Sequence, residues 1–206
     1  MAKTSAVLMV WLALSLAAQA QNNDVPRVEV FTGYSYVSAG FPFATDPAAG
    51  SARGSLNGWN VSAAVNANRW LGVVGDFGGY YGSPTSTEIF KPANCVLCTG
   101  NVTATLHNIH SFAGGPQVSI RGDTLTVFGH SLFGGAHTRA DLVSIFVPSA
   151  TISSTSLTFI AGGGVDIGFS HRFALRFQPD YMMTSILGRQ QNNFRFSTGI
   201  VFRSGH

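Results

Sequence analysis

Residues Phe173 to Met183 read FALRFQPDYMM, and they alternate strictly. Phe173, Leu175, Phe177, Tyr181 and Met183 hold the odd positions, while Arg176, Gln178 and Asp180 hold the even ones. Successive side chains of a β-strand point to opposite faces, so this stretch is a strand with one apolar face and one face that carries full charges. The same period returns in Trp59, Val61, Ala63 and Val65; in Leu71, Val73, Gly75, Phe77 and Tyr81; in Phe159, Ala161, Val165, Ile167 and Phe169; and in Phe194, Phe196, Thr198, Ile200 and Phe202. Val28 to Tyr36 adds another strand, and less regular patterns near Ile109 to Ile120 and Leu125 to His137 add two more. The total is about eight strands, each close to the ~10 residues with which a tilted strand crosses a bilayer.

Alternation leaves open which face meets water, and composition decides it. Only 10% of the residues are charged, against 45% hydrophobic. A soluble domain carries about 25% charged residues to hold its surface in water. Disorder does not account for the shortfall, because 16 Phe and frequent Val and Ile are what disordered chains lack. A wall of Phe, Val, Leu and Tyr facing lipid does account for it, with the charges turned inward. The expected fold is therefore all-β: an antiparallel transmembrane barrel of about eight strands, wound as an up-and-down meander and closed because an open edge leaves backbone groups unpaired in hydrocarbon.

The ends and connections fit this reading. Lys3, the apolar stretch Ala6 to Ala18 and the small residues of Ala18-Gln19-Ala20 predict a secretory signal over residues 1–20, with residues 21–206 forming the barrel domain. Residues 66–70, 121–124 and 169–172 read as tight turns, expected on the periplasmic side. The Gly/Ser/Pro/Thr-rich stretches near 38–55, 83–104 and 139–156 read as longer external loops. Tyr34, Tyr36, Trp59, Tyr81, Tyr181 and Phe194 fall near the outer strand ends, and Trp70, Phe169, Phe173 and Phe202 near the inner ones, so two aromatic girdles are expected. No basic cluster suggests nucleic acid as a partner.

The stretches VEVFTGYSYV, HSFAGGPQVSI, FIAGGGVDIGFSHRFALRFQPDY and NNFRFSTGIVFR together resemble the small outer-membrane β-barrels of diderm bacteria, the OmpA/OmpX-type transmembrane class. The resemblance spans nearly all of the chain after residue 20 and rests on diffuse patterns. It implies the bacterial outer membrane as the location, the lipid bilayer as surroundings, and the barrel-assembly machinery as a partner during biogenesis. In such proteins that machinery reads a terminal aromatic residue. Here Phe202 is followed by Arg203, Ser204, Gly205 and His206.

Hairpin register around the 169–172 turn sets Asp166 opposite Arg176, and the next hairpin brings Asp180 near Arg195. Glu29 is expected to approach Arg203 where the first and last strands meet. With Asp76 these residues form an expected ionic network filling a lumen too narrow for a wide channel; a gated ion path is the competing reading. Cys95 and Cys98 are the only cysteines, and in an external loop of an oxidising compartment they are expected to form a small disulfide rather than a redox or metal centre. His107, His110, His130 and His137 raise the question of catalysis. His107 and His137 are expected to approach each other at the outer rim, but the sequence places no carboxylate to orient either, and plain rim or lumen histidines are expected. Arg121-Gly122-Asp123 reads as an inner turn, and the glycines near Gly162 to Gly164 read as sites of close backbone packing rather than a phosphate loop. The reading is thus a non-catalytic structural or surface-interaction barrel with no cofactor and an unidentified partner for its external loops. A small-solute or ion pore is the first alternative and an outer-membrane lipid-acting hydrolase the second.

Overall fold

The computed structural model describes residues 25–40, 53–90, 100–144, 149–186 and 189–205. The expected signal segment and the pair Cys95 and Cys98 lie outside them. Nine strands follow in order: β1 (Val28–Gly40), β2 (Arg53–Asn66), β3 (Leu71–Tyr81), β4 (Thr85–Phe90), β5 (Gly100–Arg121), β6 (Leu125–Ser144), β7 (Ala150–Gly168), β8 (Phe173–Ile186) and β9 (Arg189–Ser204). All ladders are antiparallel. β1 pairs with both β2 and β9, and β3 pairs with β5, so the sheet closes into an eight-stranded meander barrel with β4 as an extension above it.

β3 and β4 are two parts of one stave. The break at Gly82, Ser83 and Pro84 lies against a bulge in β5 between Leu106 and Asn108. Pro84 has no N–H to give the ladder, and its carbonyl instead accepts from Leu106 N at 3.0 Å, while Gly82 N donates to His107 O at 3.0 Å. The bulge leaves His107 as the extra residue and re-aims the side chains on either side of it.

At the opposite end the connections are short. Asn68 Oδ1 accepts from Trp70 N and Leu71 N at 2.9 and 2.8 Å, a side-chain device that holds the β2–β3 turn. Gly122 N donates to Leu125 O at 2.8 Å in the β5–β6 turn. Both strand ends Val28 and Ser204 are at this same end, where they pair with each other.

Where they are described, the stretches near 83–104 and 139–156, expected as loops, are largely strand; residues 91–99 and 145–148 lie outside the described residues. β4, the start of β5, the end of β6 and the start of β7 continue the ladder past the barrel: Thr103 pairs with Thr87 and Val143, and Asp141 with Thr151. Thr103 and Thr105 alternate with Ala104 and Leu106, Arg139 and Asp141 flank Ala140, and Thr151 and Ser153 flank Ile152, so a two-residue period persists with polar residues on one face. β-branched Thr favours an extended backbone, so richness in hydroxyls was a poor sign of a loop here.

The outer wall carries the large apolar side chains. Phe77 and Phe112 are both more than half exposed and face each other across β3 and β5, and Phe133 packs on Phe159 with ring centroids 4.8 Å apart. Tyr34, Trp59, Tyr81, Tyr181 and Phe194 project outward toward one end, with Tyr36 half-buried among them; Trp70, Phe169, Phe173 and Phe202 project toward the other. Phe173 contacts both Phe169 and Phe202. No helix among the described residues is long and apolar enough to cross a membrane. An apolar belt closed on itself and bounded by two rings of aromatics is the form a barrel takes in lipid.

Candidate functional site

The interior is layered. Toward the long-strand end, Val37, Leu56, Leu106, Ile109, Leu132, Ala136, Ala140, Ile160 and Met182 pack into one apolar cluster. Arg195 lies beneath it, wholly buried, and reaches across the barrel. Its Nη1 donates to Asp76 Oδ1 at 2.7 Å and to Tyr80 Oη at 2.9 Å, while Nη2 and Nε donate to Asp180 Oδ2 at 2.6 and 2.8 Å. β3 and β8 are four staves apart in the eight-stave ring, so one guanidinium ties opposite walls. Asn60 Nδ2 donates to Asp76 Oδ2 at 3.0 Å, Gln178 Nε2 to Asp180 Oδ2 at 2.9 Å, and His130 Nε2 lies 2.9 Å from Asp180 Oδ1.

A second ionic layer lies closer to the short turns. Arg176 donates from Nε and Nη2 to the two oxygens of Asp166, at 2.7 and 2.8 Å, and its guanidinium lies 4.2 and 5.3 Å from the ring centroids of Phe128 and Phe31. A bidentate pair whose cation is also covered by aromatic faces loses little of its strength to water. Glu29 is 2.7 Å from Arg121 Nη1 and 3.4 Å from Arg203 Nε. Arg203 thus approaches Glu29 as expected across the β1–β9 closure, and Arg121 is a second, tighter partner. The chain closes into a ring and brings Arg121 on β5 across the lumen, which hairpin register alone does not reveal. Arg121 and Tyr80 are the lumen residues that sequence reasoning missed, together with the Asp180 partner of His130, although their in-facing register was visible once β5, β3 and β6 were phased.

The histidines depart from expectation in two ways. β5 and β6 set His110, not His107, opposite His137. Register counted uniformly from Arg121↔Thr126 already gives this pair, because the bulge lies beyond it, between Leu106 and Asn108. Two carboxylates also orient histidines: Asp180 binds His130, and Asp141 Oδ2 lies 2.8 Å from His107 Nε2. His110 Nε2 is 2.9 Å from Tyr81 Oη and His137 Nδ1 is 2.8 Å from Thr155 Oγ1, so these two rings lean to opposite sides of their strand pair. Asp141 lies beyond the aromatic girdle; a hydrogen bond from Thr151, and then the His107 contact, hold its carboxyl below the usual range. The hydroxyl of this group is on the carboxylate. Among the described residues no cluster of three or more His, Cys, Asp or Glu is placed to hold a metal.

The projecting strands form the other feature of note. The β7–β8 ladder ends at Phe159, and Ala150–Thr158 continues past it. At ~3.4 Å per residue this is roughly 30 Å of strand. Its outward residues are Thr151, Ser153 and Thr155, joined on the neighbouring strands by Arg139, His137, Asp141, Thr103 and Thr105. The surface changes from Phe and Val to hydroxyl and ionisable groups within a few residues of Phe133 and Leu157.

No family model matches the chain, and no curated protein matches it in sequence. Solved structures do match in fold. The attachment invasion locus protein Ail of Yersinia pestis, an outer membrane protein, is 18% identical with a TM-score of 0.54, over 86% of this chain and 99% of that one. Neisserial surface protein A is 14% identical with a TM-score of 0.55, over 85% of this chain and 96% of that one. Ail in complex with the heparin analogue sucrose octasulfate superimposes over 85% of this chain with a TM-score of 0.52. The fold is therefore that of the eight-stranded outer-membrane barrels.

Proposed function

We propose that this chain is a bacterial outer-membrane barrel with a closed lumen, non-catalytic, whose working surface is the sheet that β4, β5, β6 and β7 raise beyond the membrane. The observation that carries the reading is the unequal strand length: among the described residues β5, β6 and β7 run 22, 20 and 19 residues, with β4 extending the β3 stave beside them, while β1, β2, β8 and β9 run 13 to 16. Spanning lipid needs only about 10 residues per strand. The surplus lies on one side of the barrel and is polar outward. One fold neighbour is by name an attachment protein; in this chain the raised sheet is the surface on which such a contact would be made.

Three features favour a closed lumen over a pore. The apolar cluster around Leu106, Leu132 and Ile160 fills its outer part, Arg195 bridges its middle, and Arg176 stacked between Phe31 and Phe128 fills its inner part. The lumen charges then serve to hold opposite walls together. Against the hydrolase reading stands the way the rim groups are divided: Asp141 holds His107 and takes the Thr151 hydroxyl, while the hydroxyl that reaches an imidazole, Thr155, is on His137, a different ring.

Replacement of residues 140–152 by a tight turn tests the proposal. The shortened barrel is expected to insert, to keep its heat-modifiable migration, and to lose adhesion of whole cells to protein-coated surfaces. Unchanged adhesion by a folded shortened barrel contradicts the role given to the sheet. Stepwise conductance of the intact chain in planar bilayers, altered by Arg176→Ala, contradicts the closed lumen.

A further inference from the structure

At the short-turn end the lumen opens into a cavity of about 800 Å³. Three guanidinium groups, Arg69, Arg121 and Arg203, line it with His171, against the single carboxylate Asp123. Deeper in the barrel the cations are fully engaged: Arg195 and Arg176 each hold carboxylates at 2.6 to 2.8 Å. At the mouth they are not. Glu29 serves both Arg121 and Arg203, and Asp166 is already held in bidentate fashion by Arg176. Arg203 is left with contacts of 3.4 Å to Glu29, 3.4 Å to Thr126 and 3.5 Å to Asp166. Charge-assisted N–H···O bonds are normally about 2.7–2.9 Å, and a guanidinium carries five N–H donors in a planar fork. The Arg121 side chain is nine-tenths buried and its Nε has no hydrogen-bond partner among the described residues.

Donor capacity and positive charge in excess of the available carboxylates, gathered around one open cavity with low-dielectric walls, have the chemistry of an anion site. We propose that this mouth binds a carboxylate or phosphate group, carried by a molecule that reaches the barrel from the short-turn side. Arg203 is the clamp, with Arg69 and His171 at the rim, and Arg121 holds Glu29 so that the fork of Arg203 stays turned to the cavity. The occupant is either a soluble anion or the headgroup of an anionic lipid, which share this chemistry.

The full chain in phosphatidylcholine nanodiscs, titrated with pyrophosphate and with citrate while amide resonances are followed, tests the site. Saturable binding is expected, with shifts concentrated at residues 121–123, 168–172 and 203. Arg203→Gln is expected to weaken it at least tenfold and Arg69→Gln, on an exposed turn outside the lumen network, about threefold, while Arg53→Gln at the far end leaves it unchanged. Arg69→Gln keeps the test decisive should Arg203→Gln fail to fold. A second set of discs containing 30% phosphatidylglycerol separates the sources. Loss of probe binding there assigns the site to a lipid headgroup, retention assigns it to a soluble anion, and either supports it. Absence of saturable binding, or equal weakening by Arg53→Gln, overturns the proposal.

Discussion

Removal of the one cation that spans the barrel is the sharpest perturbation available. Arg195→Met keeps an unbranched stem but leaves Asp76 and Asp180, both almost fully buried, without the guanidinium that now binds each of them. Breaking a buried pair by removing one partner costs about 3–5 kcal/mol, because the remaining charge is stranded. Here two carboxylates are stranded and His130 and Asn60 compensate in part, so the middle of that range is expected, about 4 kcal/mol, or roughly a thousandfold in the folding equilibrium. The assay is urea unfolding of the barrel in zwitterionic micelles, followed by Trp fluorescence and by heat-modifiable migration on gels. The triple variant Asp76→Asn, Asp180→Asn, Arg195→Met removes every stranded charge and is expected to recover most of the loss. Stability of Arg195→Met within about 1 kcal/mol of the parent refutes the reasoning, since that is the range of ion pairs in water and means a wet lumen.

Three further outcomes are expected. Gly162→Ala places a Cβ against Asp180 Oδ1, the oxygen that His130 holds, and 2.6 Å from the Pro179 carbonyl, so the Asp180 carboxylate and the β8 backbone must shift; a loss of about 1–3 kcal/mol in the same urea assay follows, and no loss contradicts the contact. Phe77→Arg in the apolar belt is expected to cost about 2–4 kcal/mol, and Thr103→Arg on the raised sheet close to nothing; equal costs would misplace the membrane boundary. Asp141, depressed by Thr151 and then by His107, titrates below the ordinary aspartate range by carboxyl NMR. The linked stabilisation of the raised sheet is present above the unfolded pKa and lost as pH falls through the folded one. His107→Gln moves the midpoint only part of the way back, and no movement removes His107 from the cause.

The strands that cross the lipid were legible because a buried face and a lipid face impose a strict period, as in Phe173 to Met183. Asp166 against Arg176 followed from the hairpin alone. What the sequence hid was set at a distance. Arg121 meets Glu29 only because the ring closes, and the phase of β5 changes at a bulge between Leu106 and Asn108 that lies beside the Gly82–Pro84 break of the neighbouring stave. The raised sheet was hidden for a different reason: its outward face meets water and its inward face is Ala-rich, so the contrast that marks a membrane strand fades where the membrane ends.

The central claim is that apolar side chains on one parity of each strand meet acyl chains while the other parity is enclosed. Methyl NOEs from lipid methylenes, on Ile, Leu and Val methyl-labelled protein in nanodiscs, test it without any substitution. Cross-peaks are predicted for Val118, Ile120, Val127, Val165 and Ile167, and none for Val37, Leu56, Leu132, Ile160 and Val201. Lipid contacts at the second set, or at neither, would contradict the account.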